Sequence, residues 1–330
     1  MFERILVPLD GSALAERAVP HVMEFARTFN SDIVLLRVLD PDAHVDHAKL
    51  SDPLRSQILK SEADLQLREV AARIRAGLGE NPVQEAGGEK SRVECYVLEG
   101  KTSENIVDFA SAEQIALLVM STHGSGGLSR WNLNSVIHKV ISLIYLPMLI
   151  IRSYHSSGSA ETSVHYRRIL LPLDGSRRAE CALSAGISLA QDGRSKLVLA
   201  SVMKPPELPV VEPYRHEIRQ ICDQLMEYSR KAYGVYLQGV SERLQVESET
   251  HLIEHISITS AIQDLAHQQN ADLIILCAHG YASASNRPHG TVVRDCIDHG
   301  TTPLLVIQDL PRSQIRPTET QLAADSTRSR

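Results

Sequence analysis

The sequence predicts two α/β domains in tandem, each a parallel sheet of five strands flanked by helices. Three observations carry this. First, Arg4-Ile-Leu-Val-Pro-Leu-Asp-Gly-Ser12 recurs as Arg168-Ile-Leu-Leu-Pro-Leu-Asp-Gly-Ser176, with Val7 to Leu171 as the one change. The two aspartates are 164 residues apart, about the length of a small domain. Second, Leu118-Val-Met-Ser-Thr-His-Gly124 matches Ile274-Ile-Leu-Cys-Ala-His-Gly280 at an offset of 156, so the first unit holds eight extra residues in its middle. Third, short apolar runs alternate with longer amphipathic stretches in both halves, the order that gives parallel strands joined by right-handed helical crossovers.

In the first unit the apolar runs are Arg4–Leu9, Ile33–Leu39, Arg92–Leu98, Ile115–Ser121 and Met148–Ile151. Most are continuously apolar, as strands covered on both faces must be. Between them lie helical segments. Ala13–Phe29 carries Leu14, Ala18, Val22, Phe25 and Ala26 at spacings of three and four. Pro53–Leu78 is longer and charged, Thr102–Ala110 opens with Thr102 or Ser103 as its cap, and Leu133–Leu143 ends before Pro147. The second unit repeats the order with Arg168–Leu173, Leu197–Met203, Leu244–Ile253, Leu273–Cys277 and Leu304–Ile307. These signals divide the chain into a first domain at 1–152, a serine-rich linker at 153–166, a second domain at 167–309 and a tail at 310–330. The tail has no apolar periodicity and reads as disordered.

Composition narrows the function. Each half is long enough to bury its own core. The net charge of −6 argues against nucleic-acid binding, which needs a basic footprint. No apolar run approaches the roughly 18 residues of a membrane span. The first strand begins almost at once, which leaves no room for a signal peptide. The five cysteines form no CxxC pair, and an odd, widely spaced set suits reduced thiols. A cytoplasmic protein is expected.

In a doubly wound sheet the strand ends converge on one crevice. In the second unit they deliver Pro172 and Asp174, Val202, then Leu276, Cys277, His279 and Gly280, and finally the helix start Gly290-Thr291-Val292. In the first unit the counterparts are Pro8 and Asp10, Val38, then Met120, Ser121, His123 and Gly124, and finally Asn134-Ser135-Val136. A carboxylate accepts a hydrogen bond from an exocyclic amine. Glycine lets backbone N–H groups approach phosphate oxygens, and a Ser or Thr at a helix start adds a donor where the helix terminus favours negative charge. Each residue also has a plain structural use. Asp10 and Asp174 can cap the turn that follows them, Ser135 and Thr291 can cap helices, and His123 and His279 can orient the loop without touching a ligand.

With these motifs in hand, the chain resembles the universal stress protein family in its tandem form, over nearly all of residues 1–310. The resemblance rests on the repeated IL(V/L)PLDGS string, the (M/L)-x-x-His-Gly strand end, and the fixed loop from that glycine to a Ser/Thr helix start. It implies Rossmann-like (adenine nucleotide alpha hydrolase-like) domains, paired through their last strands about a pseudo-two-fold axis. It leaves open a homodimer beyond that pair. It implies ATP, or ADP or AMP, in the crevice, with Mg²⁺ accompanying the phosphates, and a stress-response or signalling role that reports nucleotide state to a protein partner. The nucleotide-binding branch carries Gly-x2-Gly-x9-Gly-(Ser/Thr). The second unit keeps Gly280, Gly290 and Thr291 but has Cys277 for the first glycine, and the first unit has Ser121 and Asn134 for the outer two. Binding is therefore expected to be strongest in the second unit. The alternatives are a family scaffold without nucleotide, or a slow ATPase. No catalytic residue is assigned, because His123, Arg130 and Lys139, or His279, Arg287 and Arg294, stand at no spacing that marks a base.

Two further strings are set aside. Gly100-Lys101-Thr102 lacks the glycine that a phosphate loop needs at Cys95. His251-Leu-Ile-Glu-His255 matches an inverted zinc-protease string, yet it continues a strand, where positions four apart are roughly 13 Å distant.

Overall fold

The computed structural model describes residues 1–40, 53–79, 92–122, 136–152, 163–191, 195–206, 215–281 and 287–310. Most of the expected linker (153–162) and nearly all of the tail (311–330) lie outside the described residues. The chain forms two compact units, Met1–His165 and Tyr166–Asp309.

In the first unit the strands are β1 (Arg4–Pro8), β2 (Asp32–Leu39), β3 (Val93–Glu99), β4 (Leu117–Ser121) and β5 (Met148–Ile151). The helices are α1 (Val19–Phe29), α2 (Pro53–Leu78), α3 (Thr102–Ala112) and α4 (Val136–Leu143). The strand order is β3-β2-β1-β4-β5, with every pairing parallel. Ile5, Leu6 and Val7, and Ile33 through Leu36, are wholly buried, which is why these runs are continuously apolar.

The second unit repeats the plan with β6 (Arg168–Pro172), β7 (Lys196–Met203), β8 (Ser248–Glu254), β9 (Leu273–Cys277) and β10 (Leu304–Ile307). Its helices are α5 (Cys181–Ala190), α6 (Arg215–Arg243), α7 (Ile258–Gln268) and α8 (Thr291–His299). The order is β8-β7-β6-β9-β10, again all parallel. In each unit the direction of winding reverses beside the first strand, so the β1/β4 and β6/β9 carboxyl ends open on the crevice where doubly wound sheets bind ligands. At the opposite, amino ends, Arg4 pairs with Glu94 (2.6 Å) and Arg168 with Glu249, each arginine reaching across the middle strand. That repeated ion pair is structural.

Three local expectations are corrected. The first helix begins with a 3-10 turn, Ala15–Ala18, before α1, because Pro20 lacks the N–H that would carry an α-helical ladder through this point. Helix α3 is not capped by its own Thr102 or Ser103. Asp40, just past β2, accepts from the Thr102 N–H (3.3 Å) and hydroxyl (3.4 Å). Leu244 does not open a strand: its N–H closes the last turn of α6 on the Ser241 carbonyl (3.2 Å), and β8 begins only at Ser248.

Helix α5 lies close on its sheet because residue 186 has no side chain. A Cβ there would stand 3.1 and 3.2 Å from the two Leu171 methyl carbons. Gly186→Val is therefore expected to destabilise the second unit by about 1–3 kcal/mol through overpacking. Gly186→Ala should cost less, since the Leu171 methyls can give by a few tenths of an ångström and alanine favours helix by about 1 kcal/mol. Denaturant melts of the two variants check this. A valine variant as stable as the parent would show that the helix has room to move outward.

Candidate functional site

The crevice of the second unit is built on the turn after β6. Gly175 sits at φ +82°, a left-handed conformation that glycine adopts without cost. This bends the chain so that Asp174 Oδ1 accepts from the Ser176 N–H (2.9 Å) and hydroxyl (2.6 Å). Ser176 Oγ in turn accepts from the Ala179 N–H (3.1 Å). The first unit repeats the turn: Gly11 lies at φ +76°, Asp10 Oδ1 accepts from Ser12 N–H (2.9 Å), and Ser12 Oγ accepts from Ala15 N–H (3.1 Å). The capping role of both aspartates is thus present in the structure.

The second oxygen of Asp174 reaches across to the end of β9. Oδ2 accepts from the Tyr281 N–H (2.7 Å), and a Cβ on residue 280 would lie only 2.4 Å from it. Glycine at 280 therefore admits the carboxylate. An ionised carboxylate offers about four acceptor positions, and the described residues fill three at Asp174. From α6, the Tyr233 hydroxyl donates to the Asp174 carbonyl (3.3 Å). Burial, and then the Asp174 charge, push the Tyr233 phenol above its ordinary range.

The loop ahead of α8 is fastened at several points. Gly290 N–H donates to the Ala278 carbonyl (2.8 Å), and Gln308 Nε2 donates to the Pro288 carbonyl (3.1 Å). His279 Nε2 lies 2.7 Å from the Arg287 carbonyl, and its Nδ1 lies 2.6 Å from Asp309 Oδ1. Arg178 Nε stands 2.8 Å from the other oxygen of Asp309. The His279 side chain is 0% exposed and that of Asp309 2%. Both imidazole nitrogens are thus spent inside the protein, and the ring orients the loop. Gly290 caps α8 in an extended conformation, φ −73° and ψ 171°. The helical ladder starts with Arg294 N–H on the Gly290 carbonyl, so the amides of Thr291, Val292 and Val293 have no partner within the helix. Thr291 is exposed at the mouth and Val292 half-buried.

The remaining predicted residues of this unit also lie at the carboxyl end. Pro172 closes β6, and Val202 lies two residues beyond its partner Ala200. Leu276 and Cys277 end β9 and are buried. Burial pushes the Cys277 thiol up to about 12, so it is a neutral packing group.

In the first unit Pro8, Asp10, Val38, Met120 and Ser121 occupy the matching places, and Val136 opens α4. His123, Gly124, Asn134 and Ser135 lie outside the described residues, as does Arg130. Sequence reasoning missed Arg37. Its Nη1 donates to the Leu9 carbonyl (3.3 Å), where the second unit uses Ser201 Oγ on the Leu173 carbonyl (2.7 Å). Burial lowers the Arg37 pKa, and the Asp10 charge offsets part of that. It also missed Arg178, Gln308 and Asp309. The available signal was the internal repeat, which sets Leu14 against Arg178 and Ser153 against Asp309.

Comparison with known proteins agrees with this architecture. The family model for the universal stress protein family matches residues 1–152 and again 165–308. Universal stress protein MJ0531 of Methanocaldococcus jannaschii is 31% identical over 153 residues, spanning 46% of this chain and 83% of its own. Universal stress protein YxiE of Bacillus subtilis is 25% identical over 162 residues, 46% of this chain and all of its own. Among solved structures, a universal stress protein from Archaeoglobus fulgidus superposes over 94% of this chain and 100% of its own, with a TM-score of 0.61 at 19% identity, a likeness of fold.

Gly280→Ala is expected to push the Asp174 carboxylate away from Tyr281 N–H, since a 2.4 Å approach cannot be accommodated. The loss of this exposed hydrogen bond should lower stability by about 0.5–1.5 kcal/mol. The check is a melt of this variant alone and combined with Asp174→Ala. The two effects should fall well short of additive, and full additivity would show that the two residues act separately.

Proposed function

This chain belongs to the universal stress protein family, and on that premise we propose that its second unit binds an adenine nucleotide, ATP foremost. The observation that carries the proposal is the held loop: Gly290 is tied to Ala278 one residue ahead of α8. The amides of Thr291 and Val292, which have no partner within the helix, would then be available to an anion at the start of α8, as a phosphate site requires. Pro172, Val202 and Leu276 would flank the base, and the remaining acceptor position of Asp174 would meet its exocyclic amine. Gly280, Gly290, Thr291 and Val292 would hold the phosphates, with any Mg²⁺ carried by them. The nucleotide supplies the negative charge and the hydrogen-bonding base, and the fold is of the adenine nucleotide alpha hydrolase-like kind. The protein would act in the cytoplasm, reporting nucleotide state to a protein partner through its loop surface. The first unit would bind more weakly, because Asn134 stands where the second has Gly290.

No dedicated hydrolysis is proposed. His279, the imidazole at the strand end, spends both nitrogens on protein oxygens, so it cannot position an attacking water.

Thr291→Val removes an exposed hydroxyl at constant shape. It should weaken ATP about tenfold in calorimetric titration of the full chain, the value of one hydrogen bond to a charged group, while Ser135→Ala should matter less. Wild-type protein that neither releases adenine nucleotide on heating nor binds it in titration would overturn the reading in favour of a scaffold. Turnover of purified protein should lie below the ordinary enzyme range of about 1–10³ s⁻¹. Turnover within that range, lost in Thr291→Val, would make the protein an ATPase.

A further inference from the structure

The geometry around His279 carries one step more. Nε2 faces the Arg287 carbonyl (2.7 Å) and Nδ1 faces an Asp309 carboxylate oxygen (2.6 Å). A carbonyl oxygen only accepts, so Nε2 must hold a hydrogen. The short contact at Nδ1 then requires a second proton, either on the ring or on the carboxyl group. Without it a ring lone pair and an anionic oxygen would stand against each other in an enclosed space. The contact geometry thus calls for one proton shared between the ring and the carboxyl group in the loop anchor.

We propose that Arg178 and Asp309 are positioning residues that act through His279, and that they make ligand binding by the second unit dependent on this one proton. With the proton present, Asp309 fixes the ring, the ring holds the Arg287 carbonyl, and the loop ahead of α8 stays formed. When it leaves as pH rises, the one hydrogen left on the ring goes to Nδ1 to face the carboxylate, Nε2 turns a lone pair on the Arg287 carbonyl, and that anchor loosens. Arg178 sets the balance, because its positive charge beside Asp309 opposes the extra proton. The dependence belongs to the second unit alone, since the repeat places Leu14 and Ser153 where Arg178 and Asp309 stand.

The other ionisable groups around the ring can be told apart from it. The Cys277 thiol at the end of β9 is pushed up to about 12 by burial, and Cys181, whose charge bears on it, opens α5. Asp174 is turned toward Ser176 and Tyr281 rather than toward the ring. The Arg287 residue is exposed, and His289, buried two residues further along the loop, is the second imidazole on this segment.

The proposal rests on the nucleotide reading, and the test keeps the two apart. ATP affinity of the full chain is measured from about pH 5.5 to about pH 9, spanning the histidine range. In parallel, the ring resonances of His279 and the amide exchange of Gly290 are followed without nucleotide. Wild-type affinity should fall about tenfold with rising pH, in step with His279 and with faster Gly290 exchange. Asp309→Asn should flatten both curves, because a neutral amide can donate to Nδ1 of a neutral ring that keeps its hydrogen on Nε2. Arg178→Leu should move the transition to higher pH, since the proton is then held more tightly. A loop that merely needed these side chains for packing would weaken equally at every pH. The proposal is overturned if the slope survives in Asp309→Asn, if the transition follows His289, or if His279 and Gly290 do not change together. Absence of ATP binding at every pH would overturn the nucleotide reading, and the ring and exchange measurements would still decide the proton-dependent anchor.

Discussion

Everything in each unit follows from burying parallel strands on both faces. β1, β2 and β4, like β6, β7 and β9, have core residues that are wholly or almost wholly shielded from water. Parallel neighbours cannot be joined by a tight hairpin, so each connection must cross a face, and crossing helices cover the apolar strands. The same constraint sends all the carboxyl ends to one edge. Where the order reverses beside the first strand, two connections leave in opposite directions and a gap opens between them. The crevice is therefore a consequence of how the sheet is covered, and the chemistry placed in it is a separate matter of side chains.

The Asp-Gly-Ser turn shows how that edge is made rigid before any ligand arrives. Leu9 and Leu173 extend the first strand by one more hydrogen bond, to Leu36 and Ala200. Glycine at positive φ then turns the chain, and the aspartate and serine satisfy the amides exposed by the turn. The turn is the same in both units, which is why this string kept its identity across the repeat. In the second unit the carboxylate also reaches Tyr281, so one side chain joins the ends of β6 and β9. A residue that looks like a ligand contact is first a clamp, and a ligand would use what acceptor capacity is left.

The strands and their parallel sheet were legible because burial on both faces leaves continuous apolar runs, and because the repeat gave each run a second reading. The helix α2 was legible to its bounds, Pro53–Leu78. Boundaries set by polar contacts were less so. Asp40 capping α3 is a long-range contact that no local spacing encodes, and Leu244 resembles a strand residue while serving as the end of a helix. At the site, the strand-end string and the Gly290-Thr291 helix start were visible. The side chains that hold them, Arg178 beyond β6 and Gln308 and Asp309 beyond β10, were not, since each becomes a partner of the loop only after folding.

The two units therefore share a scaffold and differ in its wiring. At the position after Leu36 or Ala200 the first unit places Arg37 and the second Ser201, and both satisfy the same carbonyl of the turn. The first brings a positive charge to Asp10, while the second keeps that layer neutral. The second sets its charges elsewhere, in a line from the half-exposed Arg178 to the buried Asp309 and His279. The buried His279–Asp309 contact is costly to desolvate, and apolar residues of similar volume would often stabilise as well. Its use is better sought in specificity: it fixes one ring orientation and, through that ring, one path for the loop. The two crevices share their Asp-Gly-Ser turn and differ in the charges placed around it, Arg37 in one and Arg178 with Asp309 in the other.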